Sequence, residues 1–264
     1  MSRLFDLPIH HVSRWIFNCY VVLDGGEGRP LVVDAGLACT GEDAAAILER
    51  EAPARALTIA ATHAHSDHVG GVPVLLRRRE ATVHLPARVE RYLAGERART
   101  PGPREVVKIL PIVRDQRFDS IALRDFARAE AGYGRSDVVH IPFELDAFLT
   151  DAAPAPGAPD WEVIAAPGHT DDSTCLYHRA SETLISGDAI LTHEGRAWFN
   201  PEMVDRALSR ETEERLRSLR VSHLLPGHGV PIAGDDLLGR ARSCSELVRG
   251  GGALGWLART IGRT

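Results

Sequence analysis

Three histidines and an aspartate crowd into six consecutive positions, His63-Ala64-His65-Ser66-Asp67-His68. Either this stretch is a solvated polar loop, or something gathers its donors. The residues before it, Ala56-Leu57-Thr58-Ile59-Ala60-Ala61, form a short apolar run that reads as a buried strand. Side chains two apart in extended backbone share a face, so His63 and His65 can aim at one point. Asp67 and His68 are neighbours and diverge, so they can serve a second point nearby. Nitrogen and oxygen donors set this way suit first-row divalent ions, and two adjacent ions are the natural reading.

Further donors stand at the ends of three later apolar runs. Residues 161–166 lead into His169, 183–186 into Asp188, and 222–225 into His228. Each lies close to a glycine, where a sharp turn lets a ligand approach. Singly these are ordinary turns. Together with the 63–68 stretch they make a set of five histidines and two aspartates. Asp34 ends another apolar run, either as a support for a ligating histidine or as a plain turn residue.

The rest of the chain alternates strand and helix patterns, as expected of a layered α/β protein. Residues 15–33 read as a hairpin and 42–51 as a surface helix. A helix continues from Ser66 or Asp67 to Arg79, with Gly70 and Gly71 allowing close approach to whatever the histidines hold. A strand follows at 81–85, and another at 173–177. Between about 86 and 160 the character changes to mixed charge, many arginines and several prolines. There, 88–97 reads as a helix, 106–113 as a strongly apolar patch, 141–145 as a strand and 152–159 as a loop. The segment is expected to be a lid, a second core face or a dimer contact. Helices are expected at 202–219 and 235–249, the last followed by a Gly-rich bend and Trp256-Leu257-Ala258.

With 264 residues, 44% apolar and 25% charged, the chain has enough material for one large or two small domains with an ordinary core. A net charge of −5 argues against a nucleic-acid-binding surface. Cys19, Cys39, Cys175 and Cys244 are scattered without a C-x-x-C pair, which favours free thiols. No run approaches a membrane span and the N-terminus lacks an apolar leader, so a cytoplasmic protein is expected.

The set His63, His65, Asp67, His68, His169, Asp188 and His228 resembles that of the metallo-β-lactamase superfamily. The resemblance implies a single αββα sandwich over residues 1–264 with an inserted helical or loop lid at about 86–160. It implies two divalent ions, zinc first and iron or manganese as alternatives. His63, His65 and His169 would hold one ion, Asp67, His68 and His228 the other, with Asp188 bridging. A hydroxide shared by the ions would attack a carbonyl carbon, with Asp67 orienting it and Asp188 a candidate proton carrier.

Within that superfamily, Asp188 and the missing leader argue against an antibiotic hydrolase. Lactonases of acyl-homoserine lactones place a tyrosine soon after the bridging aspartate, where this chain has Leu191 and Thr192. Hydroxyacylglutathione hydrolases share the seven ligands but bind glutathione through C-terminal basic residues; Arg240, Arg242 and Arg249 match no motif. The expectation is therefore a hydrolase of a thioester, lactone or related carbonyl ester acting on a small molecule, possible as a homodimer and without nucleic-acid or membrane partners. The alternatives are a hydroxyacylglutathione hydrolase, an enzyme like the mononuclear-iron persulfide dioxygenases, and a non-catalytic metal-stabilised binding protein. His193, five residues past Asp188, is a candidate for the substrate oxygen. Tyr92 and Tyr133 are weaker candidates as oxyanion donors.

Overall fold

The computed structural model describes residues 3–248 apart from 54 and 135. Two six-stranded sheets carry the fold. The first is built from β1 (Ile9–Arg14), β2 (Phe17–Val22), β3 (Leu31–Val33), β4 (Leu57–Ala60), β5 (Ala81–Pro86) and β6 (Ala147–Leu149), in that spatial order. The second contains β7 (Pro154–Ala155), β8 (Ala158–Ala165), β9 (Thr174–His178), β10 (Thr183–Gly187), β13 (His223–Pro226) and β14 (Ile232–Ala233), in the order β14-β13-β10-β9-β8-β7. A separate hairpin pairs β11 (Ile190–His193) with β12 (Arg196–Phe199).

Strand alternation explains the layers. In β2, Tyr20 and Val22 point between the sheets, while Cys19 and Val21 point outward. In the second sheet, Leu176, Ile185 and Leu225 point inward, while Cys175, Leu184 and Leu224 point outward. Both faces of each sheet are therefore buried, which is why these strands read as continuous apolar runs. Helices α1 (Ala38–Glu51) and α3 (Val72–Arg78) cover the outer face of the first sheet through Ala44, Ile47, Leu48 and Leu75. Helix α7 (Arg206–Arg217) covers the second through Leu216. The result is an αββα sandwich.

Several local expectations change. The segment 66–79 is two helices, α2 (Ser66–Val69) and α3, split at Gly70-Gly71. Those glycines admit neighbouring backbone rather than a ligand: a Cβ on Gly71 would stand 2.2 Å from the Leu37 carbonyl oxygen. The hairpin starts earlier, because β1 pairs with β2 across a turn at Trp15, whose φ is 57°. The helix at 88–97 shrinks to α4 (Val89–Leu93). Residues 141–145 are not a strand; the sixth strand of the sheet forms after them, at β6. The loop at 152–159 contains β7 and opens β8. No helix forms in the described part of 235–249, and 249 with the Gly-rich bend and Trp256-Leu257-Ala258 lies outside the described residues.

The segment 86–160 divides its roles. Its C-terminal part adds β6 to the first sheet and β7 to the second. Its middle forms α5 (Pro103–Ile109), a 3-10 turn at Leu110–Arg114 and α6 (Ser120–Arg128), which is capped by the Asp119 carboxylate. No described helix is long and apolar enough to cross a membrane.

Candidate metal centre

Strand direction brings the donors to one edge. β3 and β4 run parallel, so Asp34 and the 63–68 stretch emerge side by side. β10 and β13 also run parallel, so Asp188 and His228 emerge together. β8 and β10 are both antiparallel to β9 and so share a direction, which puts His169 at the same edge. Each loop lies beyond the C-terminal end of its strand, the usual place for a site in α/β sheets.

All seven predicted side chains meet there. His63, His65 and His169 form one group whose donor atoms lie within 4.8 Å of one another. Asp67, His68 and His228 form another, and Asp188 groups with His63 and His68 between them. Asp188 Oδ2 is central: it lies 3.3 Å from His228 Nε2, 3.5 Å from His169 Nε2, 3.6 Å from His68 Nε2 and 4.0 Å from His63 Nε2. Asp67 Oδ2 is 3.3 Å from His228 Nε2.

The rings are held from behind. His169 Nδ1 donates to the Glu202 carbonyl at 2.9 Å, and His228 Nδ1 to the Ile16 carbonyl at 2.8 Å. Each bond fixes the tautomer and turns the Nε2 lone pair inward. Asp34, at φ 57°, accepts from the Thr62 amide at 2.7 Å and the Thr62 hydroxyl at 2.9 Å, and its Oδ2 stands 3.1 Å from His68 Nδ1. Asp34 therefore both ends its strand and supports a histidine. Asn18 and Tyr20 on β2 tie the 226–229 loop down through the Pro226 carbonyl, at 2.9 and 2.7 Å.

Chemically the cluster fits divalent cations. Nε2 of His68 and His169 and Oδ1 of Asp188 are buried without a hydrogen-bond partner, and His63 Nε2 and His65 Nδ1 converge to 3.0 Å. Burial would be unfavourable for so many bare polar atoms unless an ion satisfied them. Burial, reinforced by neighbouring imidazoles, pushes His63 well below the usual histidine range and His65 down to about 3. Burial also opposes charge on His68 and His228, but the carboxylates of Asp34 and Asp188 at the first, and Asp188 and Asp67 at the second, outweigh it and hold both well above that range. Without an ion, protons on these two rings balance the aspartates.

A cavity of about 360 Å³ opens over the cluster. Its far wall is the 106–113 patch, through Val106, Ile109, Leu110, Ile112 and Val113, and its near wall holds Trp15, Ile16 and Phe17. No lysine or arginine lines it among the described residues.

Five residues at or around the site went unread in the sequence, or were read differently. Asp172 is buried, accepts from the Ala64 amide at 2.8 Å and from the Tyr133 hydroxyl. Tyr133 is therefore no free oxyanion donor; its ring packs on His65 at 4.6 Å and its carbonyl accepts from the Ser66 amide. Tyr92 packs behind Tyr133 and does not line the cavity. Glu202 does line it, 7% exposed, with burial pushing its carboxyl up to about 6. His193 does not reach the cavity: it pairs with Asp115 Oδ2 at 2.9 Å.

Two facing sheets with helices outside and a His/Asp cluster at one edge define a metallo-hydrolase fold. The chain belongs to the metallo-beta-lactamase superfamily, whose family model matches residues 14–228. It is 26% identical to a probable metallo-hydrolase, YflN, of Bacillus subtilis, over 86% of this chain and 85% of that protein. Among solved structures it resembles TTHA1623 in a di-iron-bound form, with a TM-score of 0.55 and 23% identity over 87% of this chain and 94% of that one. It also resembles the BLEG-1 B3 metallo-beta-lactamase, with a TM-score of 0.58 and 18% identity over 88% and 95%. As a member of that superfamily the chain is a hydrolase that uses divalent metal.

Proposed function

We infer that the chain is a dinuclear metal-dependent hydrolase of a thioester, lactone or related carbonyl ester with an apolar acyl part. The observation that carries this reading is the pair of complete three-donor groups, bridged by Asp188, on the floor of an apolar cavity. His63, His65 and His169 would hold one ion, Asp67, His68 and His228 the second, and Asp188 both. Two such cations supply Lewis acidity and lower the pKa of water toward neutrality.

The protein's own residues do the rest. Asp67 and Asp188 present carboxylate oxygens that can orient water and carry a proton between nucleophile and leaving group. The 106–113 wall receives the acyl chain and excludes water from the reacting carbonyl. No lysine or arginine lines the cavity among the described residues, which disfavours a glutathione thioester, whose carboxylates need basic partners. Arg240 and Arg242 are occupied elsewhere, by the Asp236 carbonyl and Glu194. Arg249 lies outside the described residues. The complete second group disfavours a single-iron enzyme, and the open cavity over the donors disfavours a purely structural metal. We further propose a small-molecule substrate and a cytoplasmic enzyme.

Metal analysis of protein purified without added metal tests the count: about two ions per chain are expected, and one iron would overturn the reading. Zinc, iron and manganese all remain compatible with an all-nitrogen and oxygen donor set. Octanoyl thioester, γ-lactone and chromogenic ester substrates should be hydrolysed, and a chelator should abolish turnover.

A further inference from the structure

Glu202 is the buried carboxylate that neither the metal groups nor the fold accounts for. It follows Asn200, whose side-chain oxygen accepts from the Glu202 amide at 2.8 Å and whose side-chain nitrogen donates to the Asp188 carbonyl at 2.8 Å. The Glu202 carbonyl receives His169 Nδ1. Its backbone is thus fixed at both ends against the metal centre. Its carboxylate is different: no described residue gives it a hydrogen bond or ion pair, although the residue is 7% exposed and lines the cavity. Lys108, which reaches the neighbouring Pro201 carbonyl at 3.4 Å, is paired with Glu105. Glu202 also belongs to none of the three donor groups.

A carboxylate with no protein partner that opens only on an apolar cavity takes its hydrogen bonds from water there, and a ligand that displaces this water must replace them. Natural sites built this way discriminate strongly, because the analogue that lacks the matching donor leaves the buried group unpaired. We propose that Glu202 is a specificity residue that accepts a hydrogen bond from a donor on the substrate's acyl chain, a hydroxyl or an amine one or two carbons beyond the scissile carbonyl. The position is chosen because Glu202 lines the same cavity as His169 and Asp188 without joining their donor groups, so a substrate whose carbonyl sits over those donors has its next carbons within the same cavity. The preferred substrate is then an apolar acyl ester bearing one polar donor near its reactive end. This rests on reading the cavity as the carbonyl-ester site.

Amides that the enzyme need not turn over test it directly. Octanamide, 3-hydroxyoctanamide and 3-aminooctanamide are titrated by calorimetry into metal-loaded wild type, Glu202→Gln and Glu202→Met. Wild type is expected to bind at least one donor-bearing amide about tenfold or more tightly than octanamide. Glu202→Met should lose that preference while keeping its affinity for octanamide and its metal content. Glu202→Gln separates the sources: it keeps a preference for the hydroxyl, since its amide oxygen still accepts, and loses one for the ammonium. Equal affinity of wild type for all three amides would overturn the proposal without any variant. So would a preference surviving in Glu202→Met, or metal lost from it. Absence of chelator-sensitive ester hydrolysis would instead sink the ester reading, while leaving the amide comparison intact.

Discussion

Three histidines of the centre are held from behind by residues far from them in sequence: His228 and His169 by the carbonyls of Ile16 and Glu202, and His68 by the Asp34 carboxylate beside its Nδ1. Supporting partners of this kind are typically worth about 10–100-fold in metal affinity. Asp34→Ala is therefore expected to weaken metal binding by about that factor, read by competition with a chromogenic chelator; unchanged affinity would mean that His68 is held some other way. The opposed histidine shifts also set a pH dependence. His63 and His65, held neutral, contribute stability that is present above the ordinary value of 6.5 and lost as pH falls through their lower folded values. His68 and His228, held protonated, contribute stability that is present below 6.5 and lost as pH rises through their higher ones. From these four groups, metal-free protein should melt highest near pH 6.5, and metal-loaded protein should lose that maximum because the ions expel the protons. Thermal scans of both forms from pH 5 to 9 check this.

Two parallel strand pairs, one in each sheet, deliver most of the ligands, and the turns that follow them must be close-packed. Gly227 shows how close: a Cβ there would stand 2.2 Å from Asp188 Oδ1 and 2.8 Å from His68 Cε1. Gly227→Ala must push Asp188, so a loss of at least about tenfold in metal affinity is expected, with secondary structure intact by circular dichroism. Wild-type metal content in that variant would show that the turn can yield. The strands and their terminal donors were legible before the structure because apolar runs ending in Gly-His or Gly-Asp are local patterns. The segment between β5 and β6 was less legible. The sequence 106–113 is equally apolar as a strand, a core helix or a cavity wall, and its composition does not distinguish them. The strand expected at 141–145 shifted to β6 for the same reason: sheet pairing with β5 chose the register.

The molecule as a whole is two sheets closed against each other, with a cluster of uncompensated donors at one edge. Ions that bind only the folded chain must stabilise it, by about 4 kcal/mol when present at a thousand times their dissociation constant. Removing them with a chelator should lower the melting temperature on the order of 10 °C for a domain this size. An unchanged melting temperature after verified metal removal would mean that the ions add nothing to the fold. Taken alone, the sequence determined which atoms could hold metal and which strands present them, because covalent spacing sets the side-chain alternation that aims His63 and His65 together. Tertiary structure alone decided what surrounds them. Asp172 takes Tyr133 out of the chemistry, His193 turns to Asp115, and Glu202 is left facing an apolar wall. Each outcome depends on segments tens of residues apart coming into contact, and burial, which decides whether a polar group needs a partner, has no local signature along the chain.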